Sequence, residues 1–255
     1  GLICLALTKK QIDRLKLPLM SPTNKSRMQT AFTISIEAKK GISTGISAYD
    51  RAKTIKVATR LNAKKNDIVS PGHVFPLVAR TGGVLERAGH TEASVDISKL
   101  SNLNPSAVIC EVMNEDGRMA RLKDLLKFSK KHKINIASIE DLIAYRLRNE
   151  KLISLTSLKN ISLKKIGKCE ALMYMNKLDQ SNSYVIKKGV FKSNKSIRVR
   201  VISTKIYSTK KMLKNNEIQK SLNFLSRYNN FILIIINNKK VHKAEKNNAI
   251  LRYYG

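Results

Sequence analysis

The sequence has few acidic residues and few aromatic residues. Its 255 residues include 49 Lys and Arg but only 18 Asp and Glu, which gives a formal net charge of +31. Such a charge can indicate a nucleic-acid or anionic-membrane partner. However, the positive charge is spread along the chain, aromatic residues make up only 5%, and no recognition motif accompanies them. We therefore interpret the charge as a compositional bias and expect no nucleic-acid partner.

Cysteine and long apolar runs are also scarce. The three cysteines, Cys4, Cys110 and Cys169, show no CxxC spacing, which argues against a disulfide framework and against a zinc ribbon. A reducing compartment fits, so we expect a cytoplasmic protein. No run is long enough to span a membrane, and Leu2–Leu7 is too short for a signal core, so no membrane partner is expected. The non-Met start and the abrupt stop at "ILRYYG" predict a chain truncated at both ends.

The length and composition predict a globular protein with one large domain or two modest ones. Hydrophobic residues make up 42% of the chain, which excludes a wholly disordered protein. Residues 1–150 contain 26 basic and 14 acidic residues, whereas residues 151–255 contain 23 and 4. This shift in charge places a domain boundary near residue 150, giving domains 1–150 and 151–255.

Strand-like and helix-like segments alternate in the first domain, which predicts an α/β or α+β fold. "SPGHVFP" (Ser70–Pro76) is predicted to be a turn because it contains Pro71-Gly72. Cys110 is expected to be a small core residue. Strands are predicted over Leu2–Leu7, Ala31–Ala38, Ser106–Met113 and the short "INIAS" segment, and helices are predicted to follow Ser47, to contain Leu122, Leu125 and Leu126, and to follow Ser138.

The second domain has a weaker pattern. A helix is predicted between about Lys211 and Tyr228. Strands are predicted over Ser183–Phe191, Ser196–Thr204 and Phe231–Asn237.

The segment "GGVLERAGHTEAS" (Gly82–Ser94) has the composition of a binding loop. Arg87 offers paired donors, Gly89 a bare backbone amide and Thr91 a hydroxyl, a set that suits a phosphate. His90 can instead bind a divalent metal. The composition is equally compatible with an ordinary polar loop.

Two other residues could participate in chemistry. Glu111 is a carboxylate inside the apolar run "AVICEVM", where burial without a partner is costly. Either strand alternation turns it to solvent, or it faces a site where a proton is moved. His73 lies in a glycine-bearing loop, where a histidine is more often structural than functional.

These residues lie in three long motifs that resemble a known family. "FTISIEAKKGISTGISAYDRAKTI", "SPGHVFPLVARTGGVLERAGHTEASVD" and "AVICEVMNEDGRMARLKDL" with "IEDLIAYR" resemble 3,4-dihydroxy-2-butanone 4-phosphate synthase, an enzyme of riboflavin biosynthesis. The resemblance covers about Gly1 to Arg148.

The resemblance implies a fold and a reaction. The family has an α+β three-layer α/β/α sandwich and works as a homodimer with its sites near the interface. It is a lyase that converts D-ribulose 5-phosphate to 3,4-dihydroxy-2-butanone 4-phosphate and formate with Mg2+ or Mn2+. By resemblance, the functional residues are the catalytic His73 and Glu111, the metal ligand His90, and the substrate-binding residues Thr44, Arg87, Ala88, Gly89, His90, Thr91 and Glu111.

One family feature is absent from the sequence. The family has an acidic loop, with a metal-binding glutamate, before the strand that matches "GLICLAL". We expect the sequence to be a fragment of an active enzyme, one that can be inactive alone. The alternative is a non-catalytic remnant that acts as a basic protein- or nucleic-acid-binding partner.

Residues 151–255 weakly resemble a GTP cyclohydrolase II half, with "SIRVRVIST", "FILIIIN" and the closing "ILRYYG" in the expected order. That half needs a zinc site with three cysteines, and this region contains only Cys169. The resemblance therefore implies a smaller, degenerate α/β domain without zinc or cyclohydrolase activity. Its expected role is structural or that of an interaction surface.

Overall fold

The computed structural model describes residues 1–25, 29–191, 196–206 and 209–237. The closing "ILRYYG" segment lies outside these residues. The described chain forms two compact units, one spanning Gly1–Arg148 and one beginning at Asn149. None of the helices within the described ranges is long and apolar enough to cross a membrane.

A four-stranded mixed sheet forms the centre of the first unit. Its order is β2-β3-β1-β4, with β1 parallel to β3 and antiparallel to β4, and β2 antiparallel to β3. The strands are β1 (Cys4–Thr8), β2 (Ile36–Ala38), β3 (Ile68–Ala79) and β4 (Ser106–Ile109).

Helices connect these strands, and two of them begin as the sequence predicts. The hydroxyl of Ser47 accepts a hydrogen bond from the Asp50 amide (3.0 Å), and Ser138 caps Asp141 in the same way (3.0 Å). These bonds satisfy amides that have no partner in the first helical turn. The helices are α1 (Lys9–Leu15), α2 (Ala48–Ala58), α3 (His90–Leu100), α4 (Leu122–His132) and α5 (Ile139–Asn149).

The core lies on both faces of β1. Leu5 and Leu7 belong to a buried cluster that includes residues of α1 and α2, whereas Ala6 packs with Ala79 and with Val95 of α3. Alternate residues of a strand point to opposite faces. Therefore α1 and α2 cover one face of β1, and α3 covers the other.

The prediction of a turn over Ser70–Pro76 is wrong, because this segment lies within β3. Ile36 pairs with Val74 while the next residue, Glu37, pairs with Val69. Four residues of β3, Ser70–His73, are therefore bulged out opposite a single step of β2. Pro71 has no amide hydrogen, so it is accommodated where the ladder is interrupted.

Three further predictions in this unit are wrong. "INIAS" (residues 134–138) forms no strand and is exposed. The strand predicted over Ser106–Met113 ends at Ile109, where its partner β1 begins at Cys4. Cys110 lies beyond that end and is exposed rather than part of the core, since β4 is an edge strand of the sheet.

The second unit contains a five-stranded sheet with the order β5-β6-β7-β9-β8. All pairs are antiparallel except β8 with β9. The helix α6 (Asn216–Leu225) contributes Ile218, Leu222 and Leu225 to the buried cluster of this unit. The strands are β5 (Ile153–Leu163), β6 (Gly167–Asn176), β7 (Asn182–Lys188), β8 (Arg198–Thr204) and β9 (Phe231–Asn237).

The three predicted strands of this region correspond to β7, β8 and β9, and β9 has the predicted bounds. The hairpin of β5 and β6 was not predicted. Its connection, residues 164–166, lacks the Asn-Gly or Asp-Gly signal of a tight hairpin, and serine, threonine, lysine and asparagine interrupt the apolar pattern of β5.

Candidate active site

His73 and Glu111 lie at the same end of the first sheet. Cys4 at the start of β1 pairs with Phe75 of β3 and with Ile109 of β4. Continued by two residues, this register places Leu2 between His73 and Glu111. Both residues therefore lie at the end of the sheet where β1 begins, on either side of that strand.

Glu111 follows the last residue of β4 and is exposed, so it is not a buried carboxylate. One of its oxygens, Oε2, accepts a hydrogen bond from the Leu2 amide at 2.9 Å. Hydrogen bonds from its own backbone amide and from that of Leu2 lower the pKa of Glu111. The lowered pKa favours the ionised form of this carboxylate.

The bulge in β3 brings His73 against Glu37 of β2. The His73 Nδ1 atom is in hydrogen-bonding contact with the Glu37 Oε1 atom. The bulge is held by a hydrogen bond from the Gly72 amide to the Ser35 hydroxyl (3.1 Å). The His73 side chain remains 43% exposed, whereas the Glu37 side chain is 16% exposed. The imidazole is thus oriented from one side and accessible from the other.

The loop before α2 presents Thr44 beside this pair. The buried Asp50 carboxylate accepts hydrogen bonds from the Ser43 hydroxyl (2.8 Å) and the Gly45 amide (3.0 Å). The bond from the Ser43 hydroxyl is the main cause that lowers the pKa of Asp50. Thr44 lies between these anchored residues and is exposed. Gly45 abuts the Glu37 carboxylate, so Thr44 lies close to the Glu37–His73 pair.

Arg87 lies over the N-terminus of α3, where Glu92 and Thr30 hold its guanidinium. It forms an ion pair with Glu92, which is 1% exposed, and donates a hydrogen bond to the Thr30 hydroxyl (2.9 Å). The second oxygen of Glu92 accepts a hydrogen bond from the Arg80 amide (3.1 Å). A buried carboxylate therefore fixes the guanidinium beside the loop.

Residues 88–91 form the first turn of α3 and its entry. Gly89 is the N-cap, and the first intrahelical bond runs from the Ala93 amide to the Gly89 carbonyl (2.9 Å). A Cβ at Gly89 would overlap the Arg87 guanidinium, so glycine is needed for their close approach. Ala88 and His90 are exposed, and Thr91 is buried. The open amides of a helix N-terminus favour an anion.

Within one copy of the chain, these residues form two groups at opposite ends of β3. Arg80, which contacts Glu92, directly follows β3. His73 precedes the regular part of the strand, Val74–Ala79, whose five steps span roughly 16 Å. The group of His73, Thr44 and Glu111 is therefore distant from the group of Arg87 and His90.

His90 can supply one imidazole nitrogen to a metal ion. The nearby Glu92 is occupied by Arg87 and by the Arg80 amide. Among the described residues, no group of three or more His, Cys, Asp and Glu side chains is arranged to hold a metal ion. Because Mg2+ prefers oxygen ligands, His90 alone does not form a complete magnesium site.

A buried ion pair supports the turn that precedes the Arg87 loop. Asp96 of α3 is 3% exposed and Arg146 of α5 is 9% exposed. Arg146 Nη1 donates to the Asp96 carboxylate (2.7 Å) and to the Gly82 carbonyl (2.9 Å), and the Val84 amide donates to the same carboxylate (2.8 Å). The pair thereby connects two helices and the Gly82–Leu85 turn.

Sequence reasoning missed the carboxylates that orient the site, Glu37 and Glu92, and the Asp96–Arg146 pair. Glu92 is the third residue of α3, a position where a carboxylate is common, so its presence there carries no specific signal. Glu37 fits the polar side of an alternating strand. Only the bulge of β3, which no periodicity indicates, makes it a partner of His73.

Comparisons with known proteins agree on one family for the first unit. Residues 1–145 match the family model of 3,4-dihydroxy-2-butanone 4-phosphate synthase. The chain is 49% identical over 205 residues to riboflavin biosynthesis protein RibBA of Aquifex aeolicus, covering 80% of this chain and 50% of that protein. It is 46% identical over 202 residues to the synthase of Neisseria meningitidis, covering 79% and 55%. The chain thus spans about half the length of these relatives.

Solved structures give the same result. The fold is similar to that of RibBX from A. baumannii, described as a two-domain 3,4-dihydroxy-2-butanone 4-phosphate synthase (TM-score 0.74, 36% identity, 100% of this chain and 72% of that one). A synthase solved in complex with two magnesium ions matches 58% of this chain and 74% of its own (TM-score 0.54, 37% identity). The motifs, the fold and the matched relatives together show that the chain belongs to the 3,4-dihydroxy-2-butanone 4-phosphate synthase family.

Proposed function

We propose that the protein converts D-ribulose 5-phosphate to 3,4-dihydroxy-2-butanone 4-phosphate and formate, as a lyase of riboflavin biosynthesis. The observation that carries this proposal is the phosphate-type loop at the N-terminus of α3. There, Arg87 is fixed by the buried Glu92, and Gly89 leaves room for the guanidinium. Paired guanidinium donors and open helix amides are complementary to a phosphate group.

His73 and Glu111 are proposed as the groups that move protons. The reaction removes a proton beside a carbonyl group, rearranges the carbon skeleton and releases one carbon as formate, which requires a base and an acid. His73 is accessible and oriented by Glu37, and the lowered pKa of Glu111 favours its ionised form. Thr44 and Thr91 are proposed to contact the substrate, with Arg87, Ala88, Gly89 and His90 at its phosphate end.

A Mg2+ or Mn2+ ion is proposed as the cofactor, with His90 as one ligand. The support is the exposure of His90 beside the loop, together with the magnesium in the related synthase. A divalent ion would supply stabilisation of negative charge on the reacting oxygens. The carboxylate ligand is proposed to come from the acidic loop that precedes this region in the family.

The first unit is proposed to be the three-layer α/β/α sandwich of the family and to form a homodimer. Helices on both faces of β1 support the sandwich. Two observations support the dimer. The two groups of site residues lie at opposite ends of β3, so a second copy is needed to bring them together. In addition, α4 is amphipathic but has no buried residue, and its Leu122 and Leu126 are exposed, as is typical of an interface.

Residues 151–255 are proposed to be the degenerate GTP cyclohydrolase II-like domain, without zinc or cyclohydrolase activity. Its Cys169 is buried, and burial raises the pKa of that thiol, which disfavours a thiolate ligand. We propose a structural or interaction role and a cytoplasmic location for the protein.

One observation favours the alternative function, a non-catalytic partner of a protein or nucleic acid. On the side of the second sheet that faces away from the buried cluster, the strands align five apolar residues in one row. These are Leu158, Leu172, Val185, Ile234 and Val201. Leu158 and Val201 are exposed, so the row is open to a partner at the ends of the sheet.

The test is formate release from ribulose 5-phosphate with Mg2+, measured for residues 1–255 and for the complete reading frame around them. Turnover by the complete protein supports the lyase. The partner is supported instead if the complete protein has no turnover and binds RNA or an acidic protein with an affinity that falls steeply as salt increases. Negligible binding to both removes the partner hypothesis.

Replacing His90 with alanine in the complete protein is expected to raise the Mg2+ concentration required for half-maximal formate release by about tenfold or more. The reason is the loss of a metal ligand. The measurement is a magnesium titration of the initial rate at saturating substrate. An unchanged titration curve for the His90 variant would refute its role as a ligand.

A further inference from the structure

We propose that Glu37 is a positioning residue that holds His73 in the tautomer with the proton on Nδ1, leaving Nε2 free to accept a proton from the substrate. The effect that we expect Glu37 to have on turnover rests on the proposed function. The orientation of the ring is a separate property that can be measured without substrate. Neither the sequence motifs nor the family resemblance assigned a role to Glu37.

The register of the sheet creates the contact. Between the pairs Ile36–Val74 and Glu37–Val69, β2 advances by one residue while β3 advances by five. The extra residues of β3 fold back over Glu37, and His73 is the last of them. An unbulged strand would place residue 73 opposite a different position, so the contact is a specific product of the bulge.

Two glycines allow the carboxylate to fit. A Cβ at Gly45 would overlap the Glu37 Oε1 atom, and a Cβ at Gly72 would overlap its Cγ atom and the Ile36 carbonyl. Gly45 also has a φ of +83°, which disfavours other residues. The Gly45 amide is fixed by Asp50 (3.0 Å) and the Gly72 amide by Ser35 (3.1 Å). Glu37 is thus enclosed by two anchored loops and the imidazole.

The chemistry of the contact determines the tautomer. An ionised carboxylate can only accept hydrogen bonds, so the nitrogen that contacts it must carry the proton. That nitrogen is Nδ1 of His73. In the neutral ring the other nitrogen, Nε2, then has the free lone pair, and the His73 side chain is 43% exposed. A carboxylate that holds a catalytic histidine in this way also stabilises the imidazolium that forms when Nε2 takes up a proton.

The first measurement is the nitrogen-15 NMR spectrum of the imidazole rings at about pH 8, above the ordinary pKa of histidine. His73 is assigned from the signal that is lost in His73→Gln. We expect the wild-type protein to show His73 with the proton on Nδ1. In Glu37→Gln the side-chain amide can both donate and accept, so the form with the proton on Nε2 is expected to become populated.

The second measurement is steady-state kinetics of formate release by the complete protein. We expect Glu37→Gln to lower kcat by roughly 10- to 10,000-fold, the range between loss of an outer-shell partner and loss of a triad carboxylate. The KM for ribulose 5-phosphate is expected to stay within about twofold, because the partner of Arg87 is Glu92 and not Glu37. Glu217→Gln, the same change at an exposed position of α6, is the control and should change neither value.

The two measurements distinguish failure of the Glu37 proposal from failure of the proposed function. A wild-type His73 with its proton on Nε2 overturns the proposal without any variant, even if Glu37→Gln fails to fold. An unchanged tautomer and an unchanged kcat in Glu37→Gln also overturn it. If the wild-type protein has no turnover, the proposed function fails, while the NMR spectrum still decides whether Glu37 fixes the ring.

Discussion

Mixing inactive His73→Gln protein with inactive Arg87→Met protein is expected to restore about a quarter of the wild-type rate of formate release. The expectation follows from the placement of the two residues at opposite ends of β3 in one copy. If each site combines the His73 end of one copy with the Arg87 end of another, a mixed dimer contains one intact site and one doubly altered site. Random exchange makes about half of the dimers mixed, so about a quarter of all sites are intact.

The measurement is the initial rate after the two complete proteins are dissociated together, reassociated and compared with each variant treated alone. Mixing His73→Gln with Glu111→Gln is the matched control. These two residues lie on either side of Leu2 at the same end of the sheet. No mixed dimer of this pair contains an intact site, so no rate should return.

The shared site would be contradicted if the control mixture recovered activity. It would also be contradicted if the first mixture recovered none although exchange of copies is demonstrated.

The exposed apolar surface of α4 is the surface that we propose for the contact between the two copies. The amphipathic pattern of Leu122, Leu125 and Leu126 predicts a helix, and the structure contains it. In one copy, however, no residue of the helix is fully buried, which is uncommon for a helix with an apolar stripe unless a partner covers it.

The elements that could be predicted are those determined by nearby residues. The cap of α2 depends on Ser47 and Asp50, which are three residues apart, and β9 is an apolar run bounded by asparagines. Such local signals need no knowledge of the rest of the chain. The motif around Arg87 and His90 likewise indicates an anion loop through its own residue types, although an ordinary polar loop has the same composition.

The elements that could not be predicted depend on pairing between distant segments. Whether Pro71-Gly72 forms a turn or a bulge is decided by the register of β2 on β3, not by the dipeptide. β4 ends at Ile109 because its partner β1 begins at Cys4. The strand predicted from the apolar run "AVICEVM" is therefore too long. For the same reason, Glu111 is not a buried carboxylate. It lies beyond the last paired residue, where it is exposed and its charge carries little desolvation cost.

Replacing Arg146 with alanine is expected to lower the free energy of unfolding of the first unit by about 3–5 kcal/mol. This change leaves the Asp96 carboxylate, which is 3% exposed, buried without its ion-pair partner. It also removes the donor to the Gly82 carbonyl (2.9 Å) and so loosens the turn before the Arg87 loop. The double variant Asp96→Leu with Arg146→Met should lose clearly less, because no charge is left buried.

The stability of this unit is measured by hydrogen exchange of the β1 amides, since a chain with two units does not have a single unfolding transition. The exposed Lys9–Asp13 pair, with side chains 61% and 59% exposed, is the matched control. Lys9→Ala should cost less than about 1 kcal/mol, because solvent screens such a pair. If Arg146→Ala cost no more than Lys9→Ala, or if the double variant were the least stable protein, the buried pair would not hold α3 and α5 together as inferred.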